Sequence, residues 1–153
     1  MNSLELKIPP PIVALITAAA MWGLASFSLS LAMPHDLRIW LAVGIALPGI
    51  TIDIAGAVRF FRAKTTVNPL TPQKSSSLVT SGIYRFTRNP MYLGMLMALL
   101  GWCVYLAAPL AFLGPIFFML YIGRFQIAPE ERVLTGLFGD EYAAYCKRVR
   151  RWL

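Results

Sequence analysis

SGIYRFTRNPMYLG, residues 81–94, is a cationic and aromatic segment that runs directly into a stretch of almost pure hydrocarbon. Arg85 and Arg88 lie three apart, so a helical turn here projects both guanidinium groups from one side. Tyr84 and Tyr92 bracket them with amphipathic rings suited to a membrane–water boundary. Pro90 fits the first turn of the helix that follows, where a missing N–H has no intrahelical partner to lose. Gly94, without a side chain, leaves room for another group to approach the backbone one turn in. A helix N-terminus flanked by arginines at headgroup level is a place for an anionic group. The plainer reading is an anchor that positions a span.

Outward from that segment the chain is apolar. Its 153 residues are 58% hydrophobic and 14% charged, against about 25% charged in soluble domains. Four stretches approach the roughly 20 apolar residues of a membrane helix: 12–33, 39–58, 91–108 and 110–127. The expected fold is therefore all-α, one membrane domain over 1–153 with four transmembrane helices. A cytoplasmic loop spans 59–90 and a cytoplasmic tail 128–153. The first stretch is too long for the apolar region of a secretory leader and reads as a retained span. With so little chain outside the spans, a site must be built from span ends and connections.

The net charge of +7 follows topology rather than nucleic-acid binding. Arg38 alone lies between the first and second spans, while the other thirteen basic residues fall on the opposite side of a four-span arrangement. By the positive-inside rule both termini and the 59–90 loop are cytoplasmic. Cys103 falls inside the third span and Cys146 in the tail, too far apart in depth for a disulfide. Neither has the company of a metal-ligand set, and no metal site is expected.

Several further features bear on a site. Pro9, Pro10 and Pro11 make a stiff lead into the first span, whose Ala18, Ala19, Ala20, Gly23 and Ala25 suit close helix packing. The short turn 34–38 makes spans one and two antiparallel neighbours, with His35 a solvated turn residue. Pro48 predicts a kink in the second span. Asp53, a carboxylate at membrane depth, is either functional or within reach of the interface and of Arg59. The 59–80 connection is long and polar, with hydroxyls at Thr65, Thr66, Ser75, Ser76 and Ser77 and breaks at Asn68-Pro69 and Thr71-Pro72. Leu78 and Val79 tuck its end inward.

Spans three and four are joined by little more than Ala107-Ala108-Pro109, so they form a tight hairpin. That hairpin returns Arg124, Gln126, Glu130 and Glu131 to the neighbourhood of residues 84–92. Pro129, Glu130 and Glu131 start a new helix, with acids at its positive end. One acid is enough for a cap, and two facing a mouth of arginines exceed that need. After Gly139, Asp140 and Glu141 repeat the start signal, and Phe138, Tyr142, Tyr145, Val149 and Trp152 recur at spacings of four and three, with Lys147, Arg148, Arg150 and Arg151 elsewhere on the wheel. This predicts a basic amphipathic helix lying on the anionic inner leaflet.

LVTSGIYRFTRNPMYLG, a hydrophobic hairpin and then PEERVLTGLFGDEYAAYCKRVRRW resemble the isoprenylcysteine carboxyl methyltransferase family and its phospholipid methyltransferase relatives. The resemblance covers about residues 68–152. Arg88, Pro90, Tyr92 and Gly94 match the family's R-H-P-x-Y-x-G, and Glu130, Glu131, Phe138, Gly139, Glu141 and Tyr142 match Glu-Glu followed by F-G-x-E-Y. Asn89 stands where the family often has histidine; it hydrogen-bonds but does not titrate.

The resemblance implies S-adenosylmethionine as cofactor, held by Ser76, Ser77, Leu78, Val79, Tyr84, Asn89, Pro90, Met91, Tyr92 and Glu130. It gives Arg88, Asn89 and Glu131 the catalytic roles. It also places Gln126 where the family has an arginine for the substrate's carboxylate, with Arg124 as a second substrate-side candidate. The implied activity is methyl transfer to a lipid-like acceptor at the cytoplasmic face of the bilayer. Alternatives are a phospholipid amine or small thiol as acceptor, or a non-catalytic membrane binder that keeps the fold. Oligomeric state is not legible.

Overall fold

The computed structural model describes residues 5–63, 70 and 72–153, Lys74 by its backbone only. The hydroxyls and breakers expected at Thr65, Thr66, Asn68, Pro69 and Thr71 lie outside the described residues, as does Lys64. The described residues are all-helical: α1 Pro10–Ala25, α2 His35–Arg62, α3 Pro90–Leu106, α4 Leu113–Ile122 and α5 Ala128–Arg148. Short 3-10 turns occupy Pro72–Lys74, Gly82–Arg85 and Pro109–Phe112, and a π-helical turn, Gly123–Ile127, joins α4 to α5. Two runs, His35–Arg62 and Pro109–Arg148, are long and apolar enough to cross a membrane; Pro10–Ala25 and Pro90–Leu106 are shorter apolar helices.

The first helix ends at Ala25, well short of the expected 33. Serines at 26, 28 and 30 offer hydroxyls that compete for backbone groups, and the Ser26 hydroxyl donates to the Gly23 carbonyl at 2.6 Å. The link that follows is tied to the α3–α4 turn instead, with Leu31 N–H on the Ala107 carbonyl at 2.8 Å. This link carries the chain across the bundle, so α1 packs on α3 and α4 while α2 packs chiefly on α3. The expected pairing of spans one and two is thereby replaced. The turn expected at 34–38 contracts to Pro34: His35 already begins α2, and the Arg38 guanidinium caps the Met33 and Leu31 carbonyls at 3.0 Å each. α2 runs unbroken through Pro48.

The most extensive helix pairing is α2 on α3, along a seam of small residues. A Cβ on Gly94 would sit 2.5 Å from the Gly49 carbonyl oxygen and 2.8 Å from Asp53 Cβ. One on Gly101 would sit 2.7 Å from the Ala42 carbonyl oxygen. The room left by Gly94 is thus filled by α2. Gly23, among the small residues expected to pack closely in α1, has nothing within 4 Å of its Cβ position. The close contact of α1 is at Gly114 of α4, against Met21.

Ala107, in the left-handed region at φ 48°, ends α3 and starts the tight hairpin the sequence predicts. The chain then returns through α4 and continues without a break into α5, whose first turn holds Pro129, Glu130 and Glu131. α5 breaks at Gly139, where φ is 48° and ψ is −121°, so the acidic restart at Asp140 and Glu141 is a second helical segment. The apolar face of that segment differs from its expected use. Tyr142, Tyr145 and Val149 are buried against Leu78, Leu134 and Phe138, so they cover the 78–88 segment and are unavailable to a leaflet. The physical reason is competition: Leu78 and the Tyr84 carbonyl offer those rings a packed partner and a hydrogen bond together.

Candidate active site

The 81–94 segment folds as a 3-10 turn, a short loop and the start of α3, rather than as one helical turn. Its two arginines accordingly part company: Arg85 is exposed, whereas Arg88 turns inward and pairs with Glu131 at 3.1 Å. Pro90 takes the first turn of α3 and lies buried behind the site. Val79 is buried and Leu78 packs on the tyrosines of α5, so the end of the polar connection is tucked in as expected.

A cavity of about 310 Å³ opens between these elements, at the lower end of the ~300–1,000 Å³ typical of ligand pockets. One wall is ionic, made by Arg88, Asn89, Glu130 and Glu131. A second is aromatic, from Phe60, Tyr84, Tyr92, Tyr142 and Tyr145, with Phe60 and Tyr84 edge-to-face at 5.4 Å. The rest is apolar or hydroxylic: Pro9, Pro10 and Pro11 from the lead into α1, Met91 and Met95 from α3, Leu134 from α5, and Ser75, Ser77, Leu78 and Val79.

Glu130 is the most constrained group. The Tyr92 hydroxyl donates to its Oε1 at 2.5 Å and the Gln126 amide at 2.8 Å. Burial pushes its carboxyl up to about 7, with the charge of Glu131 adding to the rise and the two hydrogen bonds opposing it. Burial likewise raises the phenols of Tyr84, Tyr142 and Tyr145, which stay protonated. Tyr145 donates to the Tyr84 carbonyl at 2.7 Å, fixing the aromatic wall. The Arg88 Nη1 meets Cys146 Sγ, while its Nε is buried with no hydrogen-bond partner among the described residues.

Of the residues assigned to the cofactor, Ser77, Leu78, Val79, Tyr84, Asn89, Met91, Tyr92 and Glu130 line the cavity; Ser76 is exposed and Pro90 stands behind. Arg88 and Glu131 also line it. Gln126 is buried one layer back, on Glu130. Arg124 lies elsewhere: the π-helical turn sends it to Glu5, at 3.1 Å, where Arg132 also binds at 2.6 Å. Burial opposes ionisation of Glu5, but the Arg124 hydrogen bond and both positive charges outweigh it and hold the carboxyl below the usual range. The prolines of the N-terminal lead and the two tyrosines of α5 are lining residues beyond those expected. Their signal was present as a stiff triplet and an apolar periodicity, but neither says what it faces.

The cavity thus combines a wall of acids and bases with aromatic rings beside an apolar helical bundle. The phospholipid methyltransferase family model matches residues 37–141, and the chain belongs to that family. The human protein-S-isoprenylcysteine O-methyltransferase is 30% identical over 141 residues, 87% of this chain and 49% of that one. The methanethiol S-methyltransferase 1 of Bradyrhizobium diazoefficiens is 33% identical over 119 residues, 69% of this chain and 41% of that one. An uncharacterized Haemophilus influenzae protein is 54% identical over 63 residues, 41% of this chain and all of that one. The chain thus spans about half the length of the named methyltransferases it matches, or somewhat less.

Proposed function

We propose that the protein is an integral membrane methyltransferase that uses S-adenosylmethionine and methylates a lipophilic thiol or amine entering from the bilayer. The apolar stretches 12–33, 39–58, 91–108 and 110–127 are read as four passes, with 128–153 outside the bilayer. The excess of basic residues on one side of that arrangement supports reading both termini and the cavity as cytoplasmic. The observation that carries the reading is Glu130, held by Tyr92 and Gln126 in the same cavity lining as Arg88, whose buried Nε has no hydrogen-bond partner among the described residues.

The residues present suit that cofactor. Its ammonium needs a carboxylate, which Glu130 provides; its carboxylate needs a donor, which Arg88 provides. Tyr84 and Tyr92 line the same cavity, and an aromatic face would suit a cation there. When bound, S-adenosylmethionine supplies an electrophilic methyl group on a sulfonium. The chain's part is then orientation and exclusion of water. Arg88 and Glu131 fix the ionic wall, and Asn89, whose amide donates to the Arg151 carbonyl at 2.9 Å, holds the loop that carries Arg88. Met91, Met95, Leu134 and the prolines exclude water from the methyl acceptor's side.

The acceptor reading rests on Gln126. It is neutral and its amide is engaged by Glu130, so a free carboxylate brought there would lack a fixed positive partner. Arg124, held by Glu5, does not supply one. The relatives' names point both ways, to sulfur in the methanethiol S-methyltransferase and to oxygen in the protein-S-isoprenylcysteine O-methyltransferases, so the choice of acceptor rests on Gln126.

The test is incubation of the purified protein with methyl-labelled S-adenosylmethionine and, separately, a lipophilic thiol, a lipid amine, a farnesylcysteine analogue and total lipid extract. Label is expected in the thiol or amine, with turnover on the farnesylcysteine carboxylate lower by about tenfold or more. Gln126→Arg is expected to raise the latter. Absence of label in every fraction would remove the methyltransferase reading. Efficient farnesylcysteine turnover by the wild type, with no gain from the arginine, would remove Gln126 as the discriminator.

A further inference from the structure

Residues 149–151 lie outside the cavity lining, yet their polar atoms are committed to residues that form it. The Arg88 N–H donates to the Arg150 carbonyl at 3.0 Å. The Thr87 hydroxyl and the Asn89 amide both donate to the Arg151 carbonyl, at 3.2 and 2.9 Å. The Arg151 guanidinium then reaches back to Glu131, with Nε on Oε1 at 3.1 Å and Nη2 on Oε2 at 2.5 Å. Glu131 is therefore shared: Arg88 Nη2 takes the same Oε1 at 3.1 Å.

We infer that Arg151 is a positioning residue for the ionic wall: its two-point grip on Glu131 stops that carboxylate from closing fully onto Arg88, and so keeps Arg88 available to a ligand's carboxylate. Two parallel hydrogen bonds orient a carboxylate plane in a way a point charge does not. With Arg151 in place, Glu131 presents only Oε1 to Arg88 Nη2, and the buried Arg88 Nε has no hydrogen-bond partner among the described residues. Remove the Arg151 side chain and both oxygens of Glu131 become free to chelate Arg88. Nothing in the sequence marks Arg151 for this; it sits among four basic residues in the last turns of the chain. The identity of the ligand rests on the S-adenosylmethionine reading, whereas the geometry of the brace does not.

Arg151→Ala isolates the side chain, because the carbonyl that accepts from Thr87 and Asn89 remains. Calorimetric affinity for S-adenosylhomocysteine is measured in wild type, Arg151→Ala, Arg151→Lys, Glu131→Gln and the Glu131→Gln/Arg151→Ala double variant. Arg151→Ala is expected to weaken binding by about tenfold, with partial recovery in Arg151→Lys. In the Glu131→Gln background the same change should cost no more than about twofold, since the group it acts through is gone. Equal losses in both backgrounds, or no loss at all, would overturn the proposal. A second readout needs no ligand. Cys146 contacts Arg88, and Cys103 is only 1% exposed, so the rate of maleimide addition to Cys146 reports the position of Arg88. That rate should change severalfold in Arg151→Ala and stay unchanged when Arg151→Ala is added to Glu131→Gln. If the wild type binds no nucleoside, the cofactor reading falls and the thiol rates alone decide the brace: an unchanged rate in Arg151→Ala overturns it.

Discussion

The α2–α3 seam and the cavity wall are the two most tightly determined regions of the molecule, and they are determined by opposite means. The seam is held by what is missing: Gly49, Gly94 and Gly101 let backbone approach backbone, and Gly56 admits the side chains of Pro90 and Met91. The wall is held by what is present: Glu130 and Glu131 collect hydrogen bonds and ion pairs from Tyr92, Gln126, Arg88 and Arg151, which come from α3, the π-helical turn, the preceding loop and the C-terminal strap. One region fails when an atom is added, the other when one is removed. Steric failure spreads through a whole helix pair, while polar failure stays within a few side chains.

The largest effect should therefore come from the seam. Gly94→Leu places a Cβ 2.5 Å from a backbone oxygen that belongs to another helix and cannot step aside without moving α2. The expected outcome is loss of monodisperse protein on size exclusion in detergent. Gly44→Ala, on the same α2 but with nothing within 4 Å of its Cβ position, should leave the profile unchanged. Similar behaviour of the two variants would show that the seam is not what holds α2.

The next effect is on the wall and leaves the fold intact. Glu130→Gln keeps a hydrogen-bonding side chain of similar shape but removes the charge, and should weaken S-adenosylmethionine about a hundredfold near neutral pH. The wild type should show a matching pH signature. Its carboxyl ionises near 7 in the fold, so the anionic fraction grows with pH between about 5.5 and 7, where the ligand's ammonium stays charged. Affinity should rise about tenfold over that interval and be flat in Glu130→Gln. Stability without ligand runs the other way. From the unfolded value near 4.5 up to about 7 the folded state holds a proton that the unfolded state has released, so unfolding free energy falls as pH rises, by on the order of 3 kcal/mol in all. An affinity that is pH-independent in the wild type would mean that Glu130 does not face the ligand's cation.

The same contrast explains what the sequence discloses. Continuous apolar length locates α2 and α3 within a few residues of their ends, because a helix that crosses a bilayer needs about 20 apolar residues in a row. The Tyr92–Glu130 meeting is also legible, since a hairpin too short to wander at Ala107-Ala108-Pro109 must return its arms to one level. Pairings across the chain have no such signal. Glu5 finds Arg132 at a separation of 127 residues, and Arg151 is indistinguishable in the sequence from the basic residues beside it. The apolar face of 142–149 is visible as a stripe, but whether it meets lipid or protein depends on Leu78 and Tyr84, which a wheel does not contain.

The smallest effect sharpens the comparison at the edge of the site. Arg124 carries a cation six residues before Glu130 and seven before Glu131, and by position alone it is a candidate for an acceptor's carboxylate. Its side chain is about half exposed and bonded to Glu5, which keeps Arg132 at 2.6 Å when Arg124 is lost. A half-exposed ion pair with a second cation in reserve contributes little, so Arg124→Ala should shift the melting temperature by no more than about 2 °C. Nucleoside affinity and turnover should be unchanged, because the cavity wall loses no atom. Glu5→Ala is the harsher change: it leaves Arg124 and Arg132 facing each other without their shared carboxylate, and it unfastens the segment that seats Pro9, Pro10 and Pro11 in the cavity wall. Its melting shift should exceed that of Arg124→Ala. A tenfold or greater fall in turnover from Arg124→Ala, at unchanged melting temperature, would move Arg124 from the N-terminal clamp into the acceptor site.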